Sequence, residues 1–255
     1  MLFRIIPTLL VKNNILYKGK NFKNHNYVGD PINAVKIFNE KEVDELVVFD
    51  ISVTNENKDL EYDFLVDIAS ECFIPLTYGG GIKNLKQIEK LLYCGIEKVC
   101  INTAAFYDEN FIIEASKEFG SSTIMVSVDI YKSFFKKIKI VTNSGKVFHN
   151  VKLFDYLKRI ESNGAGEVLI NDINREGTYK GFDYNFISNI SQTLNVPMII
   201  SGGASSLKDF KAAIKCGASA VAAGSFFTFQ GKHKAVLITY PDRPILDRLF
   251  IDLNE

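Results

Sequence analysis

The chain has 255 residues, 47% of them hydrophobic and 24% charged, with 30 basic side chains set against 30 acidic ones. That is enough apolar material for one large core and too much for a disordered chain. The balanced charge leaves no footprint for nucleic-acid binding, which depends on clustered Lys and Arg, and no stretch approaches the ~20 apolar residues of a membrane span.

In chain order the strand candidates are Phe3–Leu10, Glu45–Ile51, Pro75–Tyr78, Lys98–Asn102, Thr123–Asp129, Glu167–Asn171, Pro197–Ser201 and Ala218–Ala223. Arg4 interrupts the apolar start and no small-residue cleavage site follows it, so this segment reads as a strand and not a signal peptide. Helix-period segments lie between the runs, which implies βαβ units and a parallel sheet. Eight such units in ~250 residues favour a closed α/β barrel, the (β/α)8 TIM barrel, over an open doubly wound sheet. No linker divides the chain, so residues 1–255 are expected to form a single barrel domain. Residues 131–150 fit no barrel element. Their alternation and the Asn143-Ser144-Gly145 turn predict an inserted hairpin after the fifth strand. The four cysteines (Cys72, Cys94, Cys100, Cys216) include no C-x-x-C pair, and the three histidines (His25, His149, His233) are far apart in sequence. No disulfide framework, metal or cofactor is expected, and reduced thiols point to the cytoplasm.

An internal repeat supports the barrel. Pro75, Gly80, Gly81, Cys94, Gly95 and Thr103 match Pro197, Gly202, Gly203, Cys216, Gly217 and Ser225, each pair 122 residues apart. A constant offset over punctuating residues marks two half-barrels with the same strand–turn–helix–strand unit. Each unit ends its strands in small residues: Gly80-Gly81 and Asn102-Thr103 in the first half, Gly202-Gly203 and Gly224-Ser225 in the second. Glycine admits close backbone approach, and free N–H groups at a helix start hold an anion. These turns either merely join strands to helices or form two phosphate cradles. Two matched cradles across a barrel mouth suit a long phosphorylated small-molecule ligand with a phosphate at each end.

R-I-I-P near the start, G-D-P at Gly29–Pro31, DELVVFDI, GGGI, INTAA, GAGEVLI, REGT and SGGA together resemble the cyclase subunit of imidazole glycerol phosphate synthase, the HisF family. The resemblance covers nearly the whole chain and thins after Phe229. It implies a (β/α)8 barrel and a heterodimer with a glutaminase of the HisH type docked on the N-terminal face. It further implies ammonia passing through the barrel to the C-terminal face. There the family cleaves and cyclises a ribonucleotide that carries two phosphates. The family's catalytic pair is two aspartates, ending strands 1 and 5, because ring closure and elimination both move protons. Asp129 keeps the strand 5 position. Leu10 stands at the strand 1 position and holds no proton. Asn174 replaces a further family aspartate, and Glu176 replaces another with its charge kept.

The resemblance assigns a four-charge ammonia gate to Arg4, Glu45, Lys98 and Glu167; the plainer alternative is a structural charge ring. Arg4, Ile6, Thr8 and Leu10 share one strand face, as inward residues must. Glu45 and Asp50 have opposite parity, so strand 2 needs a bulge or only one of them points inward. Lys18 and Lys20, read as part of a loop after strand 1, are either a lid over an anionic ligand or a solvated loop. Asp50 and Asp172 are expected near the mouth. Lys18, Asp50, Gly177 and Thr178 make up the expected substrate loop set. Lys232, His233 and Lys234 read as a basic surface patch. The tail from Phe226 to Pro241 takes the place of an ordinary last helix. It resembles a divergent branch linked to surface-glycan or flagellin sugar pathways. In that branch a cyclase-like and a glutaminase-like protein supply ammonia to a separate sugar amidotransferase, which forms an acetamidino group. A non-catalytic scaffold that activates the glutaminase is a third reading.

Overall fold

The computed structural model describes residues 3–56, 58–135 and 137–253. Eight parallel strands follow one another: β1 (Arg4–Lys12), β2 (Leu46–Asp50), β3 (Leu76–Gly79), β4 (Lys98–Ile101), β5 (Ile124–Lys132), β6 (Glu167–Asp172), β7 (Met198–Ser201) and β8 (Ala220–Ala223). Each pairs with its successor, and β8 pairs with β1, so the sheet closes on itself. This is a (β/α)8 barrel.

The period-two pattern sorts the strand residues into two cores. Ile6, Val47, Cys100, Met125, Leu169, Ile199, Ala220 and Ala222 fill the barrel axis. Ile5, Val48, Val99, Val126, Val168 and Ile200 face the surrounding helices. The helices start where the chain provides caps. Asp30 accepts from the Ile32 N–H ahead of Pro31–Glu40, and Asn84 accepts from the Gln87 N–H ahead of Leu85–Tyr93. Ser206 and Asp209 form a capping box on Leu207–Lys215, a reciprocal bonding that satisfies two orphan donors. Helices Leu85–Tyr93 and Leu207–Lys215 occupy equivalent places in the two halves. Each ends in Cys-Gly, with Gly95 at φ 94° and Gly217 at φ 101°. Only glycine takes that conformation cheaply, which accounts for the repeated pair.

Register fixes which residues correspond. Ile5 and Ile6 pair with Val221 and Ala222, while Ile124 and Met125 pair with Val99 and Cys100. Val99 and Cys100 are the 122-residue counterparts of Val221 and Ala222. Ile6 therefore matches Met125, and Leu10 matches Asp129. On the next strand Leu10 pairs with Phe49 and Asp129 with Asn171, which are again counterparts.

Two of the expectations need correction. The stretch holding Lys18 and Lys20 is not a loop. It is a strand, Ile15–Lys20, in a hairpin with Lys23–Gly29 that folds back along β1 through Leu10–Tyr17 and Val11–Leu16 pairs. Leu16 and Val28 are buried, and their burial outweighs the polar look of the segment. After β5, Ile138–Thr142 and Val147–His149 form antiparallel strands in the equivalent place. The tail also keeps a last helix, Arg243–Phe250. The segment ahead of it adds a short hairpin, Phe229–Gln230 with Ala235–Val236. Tyr240 anchors the tail under the barrel, its hydroxyl donating to the Ile5 carbonyl at 2.9 Å, and Arg243 meets Asp44 at 2.8 Å.

Candidate functional site

At the N-terminal end of the barrel Arg4, Glu45, Lys98 and Glu167 form a closed ring. Arg4 reaches Glu45 at 2.6 Å and Glu167 at 2.8 Å, and Lys98 reaches each of the same carboxylates at 3.3 Å. Thr77 donates a further bond to Glu45 at 2.8 Å. Glu45 sits just before β2 and shares the inward parity of Val47 and Phe49. Asp50 has the outward parity, so no bulge is needed. Above the ring the axis is filled by the apolar cluster that includes Ile6, Val47, Met125 and Ile199.

A cavity of about 670 Å³ opens at the C-terminal end, within the usual range for a small-molecule site. Cys100, Ser127 and Leu169 line its lower part, and the strand ends with their loops form its wall. Asp129 and Leu10 both line it, as their matched register requires. Asp129 is held by two carboxamides: Asn102 Nδ2 donates to Oδ2 and Asn171 Nδ2 to Oδ1, each at 3.2 Å. Burial, opposed by the two amide bonds and aided by the nearby Glu176 charge, raises the Asp129 carboxyl to about 7. Asn171 is buried, and its Oδ1 has no hydrogen-bond partner.

Glu176 also lines the cavity and is raised by burial, with the Lys18 charge opposing. Lys18 is buried, and burial lowers its ammonium to about 8. Its Nζ donates to the Thr8 carbonyl at 2.5 Å and lies directly over Gly224, where a Cβ would meet it at 2.1 Å. The hairpin thus carries a cation from β1 to the second glycine cradle. Asn21 fastens the hairpin to the loop after β6, its amide Nδ2 donating to the Ile173 and Asn174 carbonyls at 2.8 and 2.7 Å.

The structure brings some predicted residues together and sets others apart. Gly80, Gly81, Asn102 and Thr103 line the cavity, as do Lys18 and Asp50. Gly202, Gly203, Gly224, Ser225, Gly177 and Thr178 do not line it. Gly177 packs against the hairpin, where a Cβ would lie 2.4 Å from the Gly19 carbonyl oxygen, and the Thr178 hydroxyl closes a turn onto Arg175. Asp50 accepts from the Ser52 N–H and hydroxyl. Asp172 pairs with Lys132 at 2.9 Å and accepts from the Asn174 N–H. Lys232, His233 and Lys234 are exposed, and Lys234 lies over the Tyr179 ring. Asn171 and the Asn143–Lys146 turn line the cavity without having been assigned a role from sequence. Strand parity with Glu167 was the available signal for Asn171; the cavity contact of the turn had none.

A model of the histidine biosynthesis protein family matches residues 4–234. A Pseudomonas aeruginosa protein, provisionally named imidazole glycerol phosphate synthase subunit hisF2, is 44% identical over 96% of this chain and 98% of its own length. Imidazole glycerol phosphate synthase subunit HisF of Dictyoglomus thermophilum is 38% identical over 89% of this chain and 90% of its own, and that of Streptomyces coelicolor is 36% identical over the same shares. With the barrel, its repeat and these matches in hand, the chain belongs to the histidine biosynthesis protein family, in the HisF group.

Proposed function

We propose that this chain is the ammonia-using subunit of a glutamine amidotransferase pair. A HisH-type glutaminase docks on the N-terminal face, ammonia crosses the Arg4–Glu45–Lys98–Glu167 ring and rises along the axis, and a ligand with a phosphate at each end lies over Asp129. The Gly80-Gly81 and Asn102-Thr103 turns hold one phosphate. Gly202-Gly203 and Gly224-Ser225, with Lys18 above Gly224, hold the other, while Gly177 and Thr178 shape the loop that borders it. The observation that supports this most is coaxial placement: four interior charges at one end of the barrel and one poised carboxyl at the other. Buried charges cost several kcal/mol each unless fully paired, and an apolar plug would be cheaper. The ring is shut by its own ion pairs, so passage requires one of them to swing aside.

At the upper end, Asp129 is the group that moves protons. With Leu10 in the matched position Asp129 has no symmetry-related carboxyl; Asp50 and Glu176 are the other acids on the cavity wall. A carboxyl held near neutrality populates both forms at working pH, so one group can take a proton and later return it. The unpaired Asn171 oxygen beside it accepts from an arriving N–H donor. On this reading the reaction is lyase and cyclase chemistry on a bisphosphate ribonucleotide. The test is direct: purified chain, ammonium salt and the bisphosphate precursor should give imidazole glycerol phosphate slowly, and Leu10→Asp should speed it.

Leu10 specifically favours a second reading. In it the chain keeps the partner and the conduit but delivers ammonia for acetamidino-sugar formation by a separate sugar amidotransferase. No turnover of the bisphosphate by either the native chain or Leu10→Asp, with glutaminase still activated, selects that reading or the non-catalytic scaffold.

A further inference from the structure

The hairpin after β5 ends in a turn that has no part in closing the barrel. Asn143 and Ser144 adopt φ 57° and 54°, and Gly145 φ 85°. Left-handed backbone at successive residues is what a tight hairpin turn requires, and Asn and Gly adopt it readily. Two observations place this turn. The Asn143 N–H donates to the Thr103 hydroxyl at 3.0 Å, and a Cβ on Gly145 would touch the Phe22 ring at 3.0 Å. The turn is therefore wedged between the first glycine cradle and the hairpin of the other half-barrel. Lys146 closes it through N–H bonds to Thr142 and Asn143. Asn143, Ser144 and Lys146 all line the cavity beside Gly81 and Thr103.

The pseudo-twofold gives this placement meaning. Strands β3, β4 and β5 correspond to β7, β8 and β1. The hairpin after β1 lays Lys18 over the cradle next to it, and the hairpin after β5 lays Ser144 and Lys146 beside the cradle next to it. We propose that Ser144 and Lys146 are ligands of the phosphate held by Gly80-Gly81 and Asn102-Thr103, so that each cradle takes its cation from the neighbouring hairpin. Lys146 is exposed at the cavity edge, and a cation beside backbone donors makes charge-assisted bonds to phosphate oxygens, which are stronger than neutral ones. This rests on the reading that the cavity binds phosphate esters, and it adds which residues select a charged end group there.

The experiment is calorimetric titration of the full chain with inorganic phosphate and with ribose 5-phosphate, with thermal unfolding run on every variant. Lys146→Ala should weaken binding at one site about tenfold, Lys146→Arg by no more than about threefold, and Ser144→Gly severalfold. Binding by Lys146→Ala and Ser144→Gly equal to that of the native chain, while Thr103→Val binds weakly, overturns this proposal alone. A native chain that binds neither probe overturns the phosphate reading of the cavity and this proposal with it.

Discussion

Replacing Asp129 with Asn isolates the cost of the charge at the upper end of the barrel. The folded chain holds this carboxyl near 7, chiefly through burial, whereas an unfolded aspartate ionises near 4. A folded-state value above the unfolded one favours the protonated form. Stability from this group is therefore fully present below about pH 4 and is lost as pH rises toward 7. At about 1.4 kcal/mol for each pH unit between the two values, the ceiling is ~4 kcal/mol. Asp129 is only part-buried at the cavity wall, so water screens the charge and ~2 kcal/mol is the better figure. The introduced carboxamide has two donors facing it, but Asn171 can turn over and present the oxygen that now lacks a partner, which keeps the hydrogen bonding whole. Thermal unfolding of both proteins should then show Asp129→Asn more stable at pH 8 by roughly 4–8 °C and level at pH 4. A difference that is the same at both pH values would refute the reasoning.

Leu10→Asp should raise any conversion of the bisphosphate precursor by at least tenfold, and a flat response would mean that Asn174 or another change limits the chemistry equally. Gly80→Ala should cost about 2–4 kcal/mol in urea unfolding, because its Cβ would lie 2.2 Å from the Asp50 carbonyl oxygen. Gly231→Ala, with nothing within 4 Å, should cost only about 1 kcal/mol; equal losses would show that the turn after β3 is less tight than its contacts indicate. Tyr240→Phe removes a buried donor to the Ile5 carbonyl and should lower stability by about 1–2 kcal/mol. No loss would detach the tail from the barrel floor.

How far these features could be read beforehand depended on whether they were local. Eight apolar runs and a 122-residue repeat sufficed for the barrel, because strand alternation and glycine turns are written in consecutive residues. The ring was legible through the family resemblance, and strand parity alone left Glu45 and Asp50 competing for the inward face. The hairpin after β1 was not, since YKGKNFKNHNY is polar and rich in Asn; its strand character comes from pairing with β1 and from burying Leu16 and Val28. Lys18 illustrates the same limit. Only the hairpin's inclination over the mouth shows that this lysine is buried above Gly224. Asn171 holds Asp129 through a register match across two strands, which no short window of sequence contains. The last helix was missed because Arg243–Phe250 follows a Pro-flanked, irregular stretch.

The measurement that bears most directly on the conduit uses the complex with its glutaminase, supplied with amide-15N glutamine in the presence of excess unlabelled ammonium. If ammonia rises through the ring inside the barrel, nitrogen in the product keeps the glutamine label, and Lys98→Ala lets it dilute while leaving ammonium-dependent turnover unchanged. Product labelled at the bulk ammonium ratio in the native complex would contradict the account.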